Sequence, residues 1–264
     1  SYKLEYLKNF KYVMRCLVFL LIILINGIGG FFTSSYSQEL DRSKFRSSSL
    51  VSRKIAEKQL NKIYQLAGKL RTFHCGCVFD KIKQVFPNIC ESDSKVTLGN
   101  KNSRTLEWVS MMPIDIFGGS LRCWSKNLCT RSDGFKAKGA QCCSEISPKF
   151  KKMESDMHNI FPAINNLSSI GDTLDFGGMW EYQFCPGESP SLNIRGDIAR
   201  AYFYMSYQYK IPLHEALEDS MRKWHFNDPP DNWEEIRNDR VEAIQGNRNL
   251  FIDHPEWIER VADF

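Results

Sequence analysis

Beyond its first 37 residues, the sequence has no excess of charge of either sign. Residues 1–37 hold four basic residues and one acidic residue, which leaves 31 basic and 30 acidic residues in the rest of the chain. That balance excludes a protein that is basic throughout and wraps nucleic acid, although a local basic face stays open. The chain also lacks internal repeats, and 16 glycines and 10 prolines among 264 residues exclude a collagen-like composition. With 42% hydrophobic residues, it is long enough to bury one sizeable core, or at most two small ones.

A single long apolar run is present, over residues 16–32, and it begins shortly after Met14. Small and polar residues follow it, in the order that is typical of a secretory signal peptide. The run is short for a membrane span and is interrupted by Asn26 and three glycines, which disfavours the alternative of a retained anchor. We therefore predict a leader over residues 1–37 with its start at Met14. The mature protein is then secreted or periplasmic and makes no contact with the membrane.

Eight of the nine cysteines lie beyond that leader, and an even number in an exported chain predicts disulfide bonds. Zinc is the competing interpretation. Paired ligands of structural zinc sites are separated by two to four residues, whereas these pairs are separated by one residue or none. Eight cysteines allow 105 connectivities, so the pairing stays open. The residues predicted to form disulfides are Cys75, Cys77, Cys90, Cys123, Cys129, Cys142, Cys143 and Cys185.

Helix and strand signals alternate along the mature chain, which predicts a mixed α+β fold. The predicted elements are a linker and first helix over 38–70 with apolar Ile55, Leu60, Ile63 and Leu66, a strand over 104–110, a loop rich in Gly, Lys and Cys over 118–143, a helix over 149–159 stopped by Pro162, and helices over 195–209, 213–225, 231–246 and 255–263. We expect the aromatic residues of the 195–209 helix to pack in the core rather than to stack on bases.

Charge is distributed unevenly between two segments. Residues 121–152 carry eight basic and two acidic residues, whereas residues 215–264 carry 13 acidic and 6 basic residues. The basic segment predicts a face for a phosphate-bearing partner, and the alternative is a solvated loop whose lysines only maintain solubility. The predicted nucleic-acid-binding residues are Arg122, Lys136, Lys138, Lys151 and Lys152.

Six stretches in register resemble the endonuclease I family, whose members are exported bacterial nucleases that cut DNA, and often RNA, without sequence preference. They are Thr72-Phe-His-Cys-Gly-Cys77, Leu106-Glu-Trp108 with Met111-Met-Pro113, Arg122-Cys-Trp124, Lys152-Met-Glu-Ser-Asp-Met-His-Asn159, Arg195-Gly-Asp-Ile-Ala-Arg-Ala-Tyr-Phe-Tyr-Met205, and Gln245-Gly-Asn-Arg-Asn249 with Phe251-Ile-Asp253. The resemblance implies one disulfide-stapled α+β domain over residues 71–264. It also implies a ββα-metal finger, a strand pair and a helix that grip one divalent ion, commonly Mg²⁺, over the scissile phosphate.

The sequence departs from the family pattern where the resemblance places the chemistry. Val109 and Ser110 stand at the positions of a metal-binding glutamate and a base histidine, Ala140 at that of a phosphate-binding arginine, and Ser168 at that of an asparagine ligand. Only Glu154 survives among the site positions. Valine donates nothing to a metal, and a neutral serine hydroxyl does not act as a general base unaided.

Three hypotheses follow. The first is a catalytically silent member of a nuclease fold that retains affinity for the phosphate backbone of DNA or RNA and binds Mg²⁺ weakly or not at all. The second is an active Mg²⁺-dependent nuclease with a shifted set of functional residues, namely Glu107, Asp115 and His158. The third is a secreted module that recognises another protein.

Overall fold

Helices and short strands alternate along the residues that the computed structural model describes, which are 52–86, 88–90, 105–165 and 192–264. In chain order the elements are α1 (Arg53–Ala67), β1 (Val78–Phe79), β2 (Val85–Phe86), β3 (Leu106–Ser110), α2 (Ile114–Gly119), α3 (Arg122–Ser125), β4 (Cys129–Thr130), β5 (Lys136–Ala137), α4 (Ala140–Ile146), α5 (Pro148–Glu154), β6 (Ile160–Ile164), α6 (Arg195–Tyr209), α7 (Glu215–Asn227), α8 (Asn232–Gln245) and α9 (Leu250–Asp253). Short 3₁₀ turns cover Met157–Asn159, Leu192–Ile194 and Pro255–Arg260. The predicted α+β class is confirmed.

Strands β3 and β6 pair in antiparallel fashion although about fifty residues separate them, with Val109 opposite Phe161 and Ser110 opposite Ile160. Side chains alternate between the two faces of a strand, so Trp108 points into the core while Glu107 is exposed. Trp108 packs edge-on against Tyr64 of α1, with 5.3 Å between ring centroids. The strand pair is therefore fixed by the core on one face and free to present side chains on the other.

Helix α1 lies within the predicted 38–70 segment, but only part of its predicted apolar face is buried. Leu60 and Ile63 are in the core, whereas Ile55 and Leu66 are exposed. Ala56 and Tyr64 complete the buried face, because residues three and four apart lie on one side of a helix.

Three other predicted elements need correction. The predicted 118–143 loop contains α3 and the β4–β5 hairpin, since its cysteines tie short elements together. The predicted 149–159 helix ends at Glu154, and Pro162 lies inside β6 instead of stopping a helix. The segment predicted as a helix over 255–263 forms a 3₁₀ turn, which begins at a proline.

The structure contains the disulfides Cys77–Cys90, Cys123–Cys143 and Cys129–Cys142, and Cys75 is disulfide-bonded as well. The prediction of disulfides over zinc is confirmed for these seven cysteines. Cys185 lies outside the described residues, as does the predicted leader. Among the residues that are described, no helix combines the length and apolar character needed to cross a bilayer.

Helix α6 runs through the core and is buried on nearly all sides, as predicted for its aromatic residues. Its Tyr204 and Tyr209 donate hydrogen bonds of 2.7 and 2.6 Å to one carboxylate oxygen of Asp156, and the Gln245 amide donates to the other oxygen at 2.8 Å. The side chain of Asn159 forms two hydrogen bonds with the backbone of Met112. Its Oδ1 accepts from the Met112 N–H, and its Nδ2 donates to the Met112 carbonyl. The motif segments thus meet in one buried polar network, which fixes the end of β3.

Candidate functional site

Strand β3 borders a cleft of about 400 Å³ that brings together three of the predicted site residues, Val109, Ser110 and Glu154. We call it the β3 cleft. Its full lining is Arg53, His74, Glu107, Trp108, Val109, Ser110, Met111, Pro113, Ile114 and Glu154.

Val109 and Ser110 are half-buried at the end of β3. Glu107 lies two residues before Val109 and on the same face of the strand, and it also lines the cleft. The aliphatic side chain of Val109 supplies no donor atom, so the carboxylates of the cleft come from Glu107 and Glu154.

Arg53, in the first turn of α1, spans the β3 cleft with its guanidinium. Nη1 donates to the Ser110 hydroxyl at 2.8 Å and to the Glu154 carbonyl at 3.0 Å, while Nη2 donates to the Trp108 carbonyl at 2.6 Å. Nε donates to the Glu57 carboxylate at 2.9 Å, one helical turn further along α1. A fixed positive charge therefore lies against the position where the family resemblance expects a base.

Glu154 ends helix α5, and its side chain is oriented by the preceding helix. The Ser144 hydroxyl of α4 donates to Glu154 Oε2 at 2.7 Å. The retained carboxylate is thus held in place by a side chain from the Cys-rich segment.

His74 also lines the β3 cleft. Burial lowers the pKa of its imidazole to about 4, because a buried charged ring is disfavoured. The ring is therefore neutral at pH 7 and is able to accept or donate a hydrogen bond in the cleft.

The divalent ion that the family resemblance implies does not fit the donor set of this cleft as described. Hard cations require oxygen ligands, yet Val109 offers none, and the Ser110 hydroxyl is bonded to a cation already. Within the described ranges, no group of three or more His, Cys, Asp or Glu side chains is arranged to hold a metal ion.

The other predicted site residues lie apart from the β3 cleft or outside the described residues. Ala140 is the first residue of α4 and does not belong to the cleft lining given above. Ser168 falls outside the described residues, so the β3–β6 pair is the part of the predicted ββα-metal finger that the structure describes.

The shifted set of residues in the second hypothesis is not assembled. Glu107 lines the cleft, but Asp115 is exposed in the first turn of α2. His158 is only 1% exposed, and its Nε2 lies 3.0 Å from the Asn247 carbonyl. Burial lowers the pKa of His158 to about 4. The histidine that lines the β3 cleft is His74, and His158 is not part of the lining.

The predicted nucleic-acid-binding residues divide by exposure. Arg122, Lys136 and Lys138 are exposed, whereas Lys151 and Lys152 on α5 are half-buried. The exposed three flank or belong to the β4–β5 hairpin, and β5 leads directly into α4, the helix that holds Glu154.

Fold and site define a disulfide-stapled α+β protein of the nuclease type, with a strand pair and a carboxylate-bearing helix at one cleft. The Endonuclease I family model matches residues 61–256, and the chain belongs to this family. The family membership predicted above is confirmed.

Relatives with similar sequences carry names that agree with the family. Two extracellular deoxyribonucleases of Aeromonas hydrophila are 31% and 33% identical to this chain, over 75% of it and over 87% and 86% of their own lengths. A periplasmic deoxyribonuclease of the same organism is 32% identical over 75% of this chain and 83% of its own.

Sequence reasoning missed Arg53 and His74. Arg53 lies in a segment that reads as a linker and helix, and 57 residues separate it from Ser110, so no local pattern connects the two. His74 stands next to a cysteine and resembles a turn or core residue. A weak signal for His74 was its place inside a family motif at the start of the predicted domain.

Proposed function

We propose that this protein is an exported nucleic-acid-binding member of the endonuclease I family in which phosphodiester hydrolysis is silent. The observation that carries the proposal is the composition of the β3 cleft. Val109 and Ser110 occupy the end of the strand, and the guanidinium of Arg53 bonds to Ser110. The cleft thus contains a fixed cation in place of a base.

The replaced residues should slow phosphodiester hydrolysis greatly. Loss of a general base lowers a rate by on the order of 10²–10⁴, and loss of metal polarisation adds several kcal/mol to the barrier. The serine is also a poor substitute, because its hydroxyl oxygen already accepts a hydrogen bond from Arg53 at 2.8 Å. These effects together reduce hydrolysis toward background.

Binding rests on the exposed basic residues rather than on the cleft. The cleft lining holds the Arg53 guanidinium beside the carboxylates of Glu107 and Glu154, so it offers no excess of positive charge to a phosphate. Arg122, Lys136 and Lys138 are exposed and able to contact a phosphate backbone without reading its sequence. Export is supported by the names of the relatives, which are extracellular and periplasmic enzymes.

One observation favours a second candidate function, hydrolysis by an altered set of residues. His74 and Glu107 line the same cleft, so an imidazole that is neutral at pH 7 and a carboxylate face the same space. In this alternative, His74→Ala and Glu107→Ala each abolish cleavage.

The test is digestion of plasmid DNA and of RNA by the oxidised mature protein with Mg²⁺ or Mn²⁺, beside the variant Val109→Glu/Ser110→His/Ala140→Arg/Ser168→Asn. We expect the natural sequence to be silent and the restored variant to cut until EDTA is added. A matched control replaces Val109→Glu by Val109→Gln, which keeps the shape and removes the charge. Cleavage by the natural sequence that EDTA stops would overturn the proposal of silence. Absence of nucleic-acid binding even at low salt would instead favour a protein-recognition module.

A further inference from the structure

The β4–β5 hairpin, residues 129–137, holds its turn through backbone and side-chain contacts of its own. The Arg131 N–H donates to the Phe135 carbonyl at 2.8 Å, and the Phe135 N–H donates to the Asp133 carboxylate at 3.1 Å. Gly134 has φ +85°, a conformation that favours glycine. The backbone that carries Phe135 is therefore defined by the turn itself.

One disulfide ties this hairpin to α4, and a second ties the preceding helix α3 to α4. Cys129 in β4 is bonded to Cys142, and Cys123 is bonded to Cys143, and both partners lie in α4. The same helix provides Ser144, which bonds Glu154. The hairpin is therefore covalently bonded to the helix whose Ser144 orients Glu154.

At the tip of the hairpin, Phe135 is 71% exposed between basic side chains. Arg131 lies opposite Phe135 across the turn, where it also forms a 3.4 Å ion pair with Asp133. Lys136 and Lys138 follow Phe135 in the chain, and all three basic residues are exposed. Lys136 donates to the Thr130 hydroxyl across the hairpin at 2.9 Å, which orients its ammonium group. An exposed aromatic ring on a hairpin that also carries exposed basic residues has an apolar face for a flat ligand and charges for phosphates.

We propose that the β4–β5 hairpin is a binding element for unpaired nucleobases, in which Phe135 stacks on a base while Arg131 and Lys136 contact the adjoining phosphates. This inference rests on the proposed function, and it adds that single-stranded segments are the preferred ligand. Bases in a duplex are stacked on one another, so their faces are accessible to Phe135 only in single strands, loops and ends. Aromatic stacking of this kind tolerates any base.

A nucleic acid suits this surface better than a lipid membrane does. One myristoyl chain gives only marginal membrane binding, and a single phenylalanine ring buries still less apolar surface. Stacking of one ring on one base, by contrast, is an ordinary contact of proteins that bind single strands, and the exposed cations of the hairpin supply charge for the phosphates.

The experiment measures fluorescence anisotropy of labelled ligands with the oxidised mature protein in EDTA, so that no cleavage interferes. The probes are an oligothymidine strand, an abasic strand of equal length and charge, and a blunt duplex. We expect Phe135→Ala to weaken binding of the oligothymidine strand about 5- to 100-fold, the range of one stacking contact. Binding of the abasic strand should not change. Phe135→Trp should retain affinity, and its indole emission should be quenched by the oligothymidine strand alone.

Phe226→Ala is the matched control, because Phe226 is 78% exposed in a groove where Arg222 and Lys223 are balanced by Glu256 and Glu259. It should bind all three probes as the natural sequence does. Equal loss of the abasic and oligothymidine strands in Phe135→Ala would overturn the stacking role. It would also be overturned if Phe135→Ala bound all three probes normally and lost affinity only for anionic phospholipid vesicles, measured in the same buffer. If the natural sequence binds none of the nucleic acids at low salt, the proposed function itself fails, which is a different result from an unchanged Phe135→Ala variant.

Discussion

The guanidinium of Arg53 and the hydroxyl of Ser110 form a 2.8 Å hydrogen bond that joins helix α1 to the end of strand β3. The residue that replaces the expected base is therefore not merely inert. Its oxygen is the acceptor for a cation that also holds the Trp108 and Glu154 carbonyls. The positive charge of the Arg53 guanidinium repels a divalent cation placed at this end of β3.

Because Arg53 contacts Ser110, we predict that its charge weakens metal binding at a restored site. In the four-residue restoration variant, adding Arg53→Gln should tighten Mn²⁺ binding by at least about tenfold, because unit charges about 4 Å apart interact by about 4 kcal/mol at an effective dielectric constant of 20. Adding Arg53→Lys instead keeps the charge and should not improve binding. Mn²⁺ titration followed by electron paramagnetic resonance measures both. Equal affinities in the glutamine and lysine variants would contradict the prediction.

The basic surface predicts a strong dependence of DNA binding on salt. Each phosphate contact contributes about 0.9 to the slope of log K against log salt concentration for duplex DNA, so Lys138→Gln should reduce the magnitude of the slope by about 1. Lys223→Gln is the control, because this exposed lysine lies in the acidic C-terminal segment. Binding titrations from low to high KCl give the slopes. Identical slopes for all three proteins would show that Lys138 does not meet the backbone.

Asp156 is predicted to be essential for stability rather than for chemistry. Its two carboxylate oxygens accept hydrogen bonds from Tyr204, Tyr209 and Gln245. Asp156→Asn replaces one acceptor by a donor and should lower the free energy of unfolding by about 2–4 kcal/mol, as measured by urea titration of the oxidised protein. Asp239→Asn, on the surface, should change it by less than about 1 kcal/mol. A neutral effect of Asp156→Asn would mean that the network rearranges without loss.

The lowered pKa of the buried His158 leads us to predict that the folded protein loses stability in mild acid. The pKa of His158 is lowered to about 4 in the folded state, below the ordinary value of about 6.5 for the unfolded chain. The unfolded state therefore binds the proton more tightly between these values, and stability falls as the pH drops from about 6.5 to about 4, by about 3 kcal/mol in all.

His158→Gln should remove this contribution while its amide still reaches the Asn247 carbonyl. Denaturation curves at pH 7 and pH 4.5 should then differ less than those of the natural sequence. His254→Gln, at a half-exposed histidine, serves as the control. A variant that loses as much stability in acid as the natural chain would assign the effect to other groups.

Much of the fold could be predicted from the sequence, because its signals are local. The segment bracketed by Pro190 and Pro212 was predicted as a helix over 195–209, and both ends of α6 are correct, while the even cysteine count indicated disulfides. The disulfide pairing and the end of the helix before Pro162 could not be predicted. They depend on contacts between distant segments, such as the pairing of Ile160–Ile164 with Leu106–Ser110.

By itself the sequence determined the family and the replaced residues, since both are matters of residue type at a position in a motif. In any conformation, Val109 has no atom that can bind a metal, and the neutral hydroxyl of Ser110 is not a base near pH 7. Only the tertiary structure decided what surrounds them. It placed Arg53 against Ser110, brought His74 into the β3 cleft and moved His158 into a buried network. These neighbours come from segments up to about a hundred residues apart, and such distances in sequence are bridged by packing of the core rather than by any local propensity.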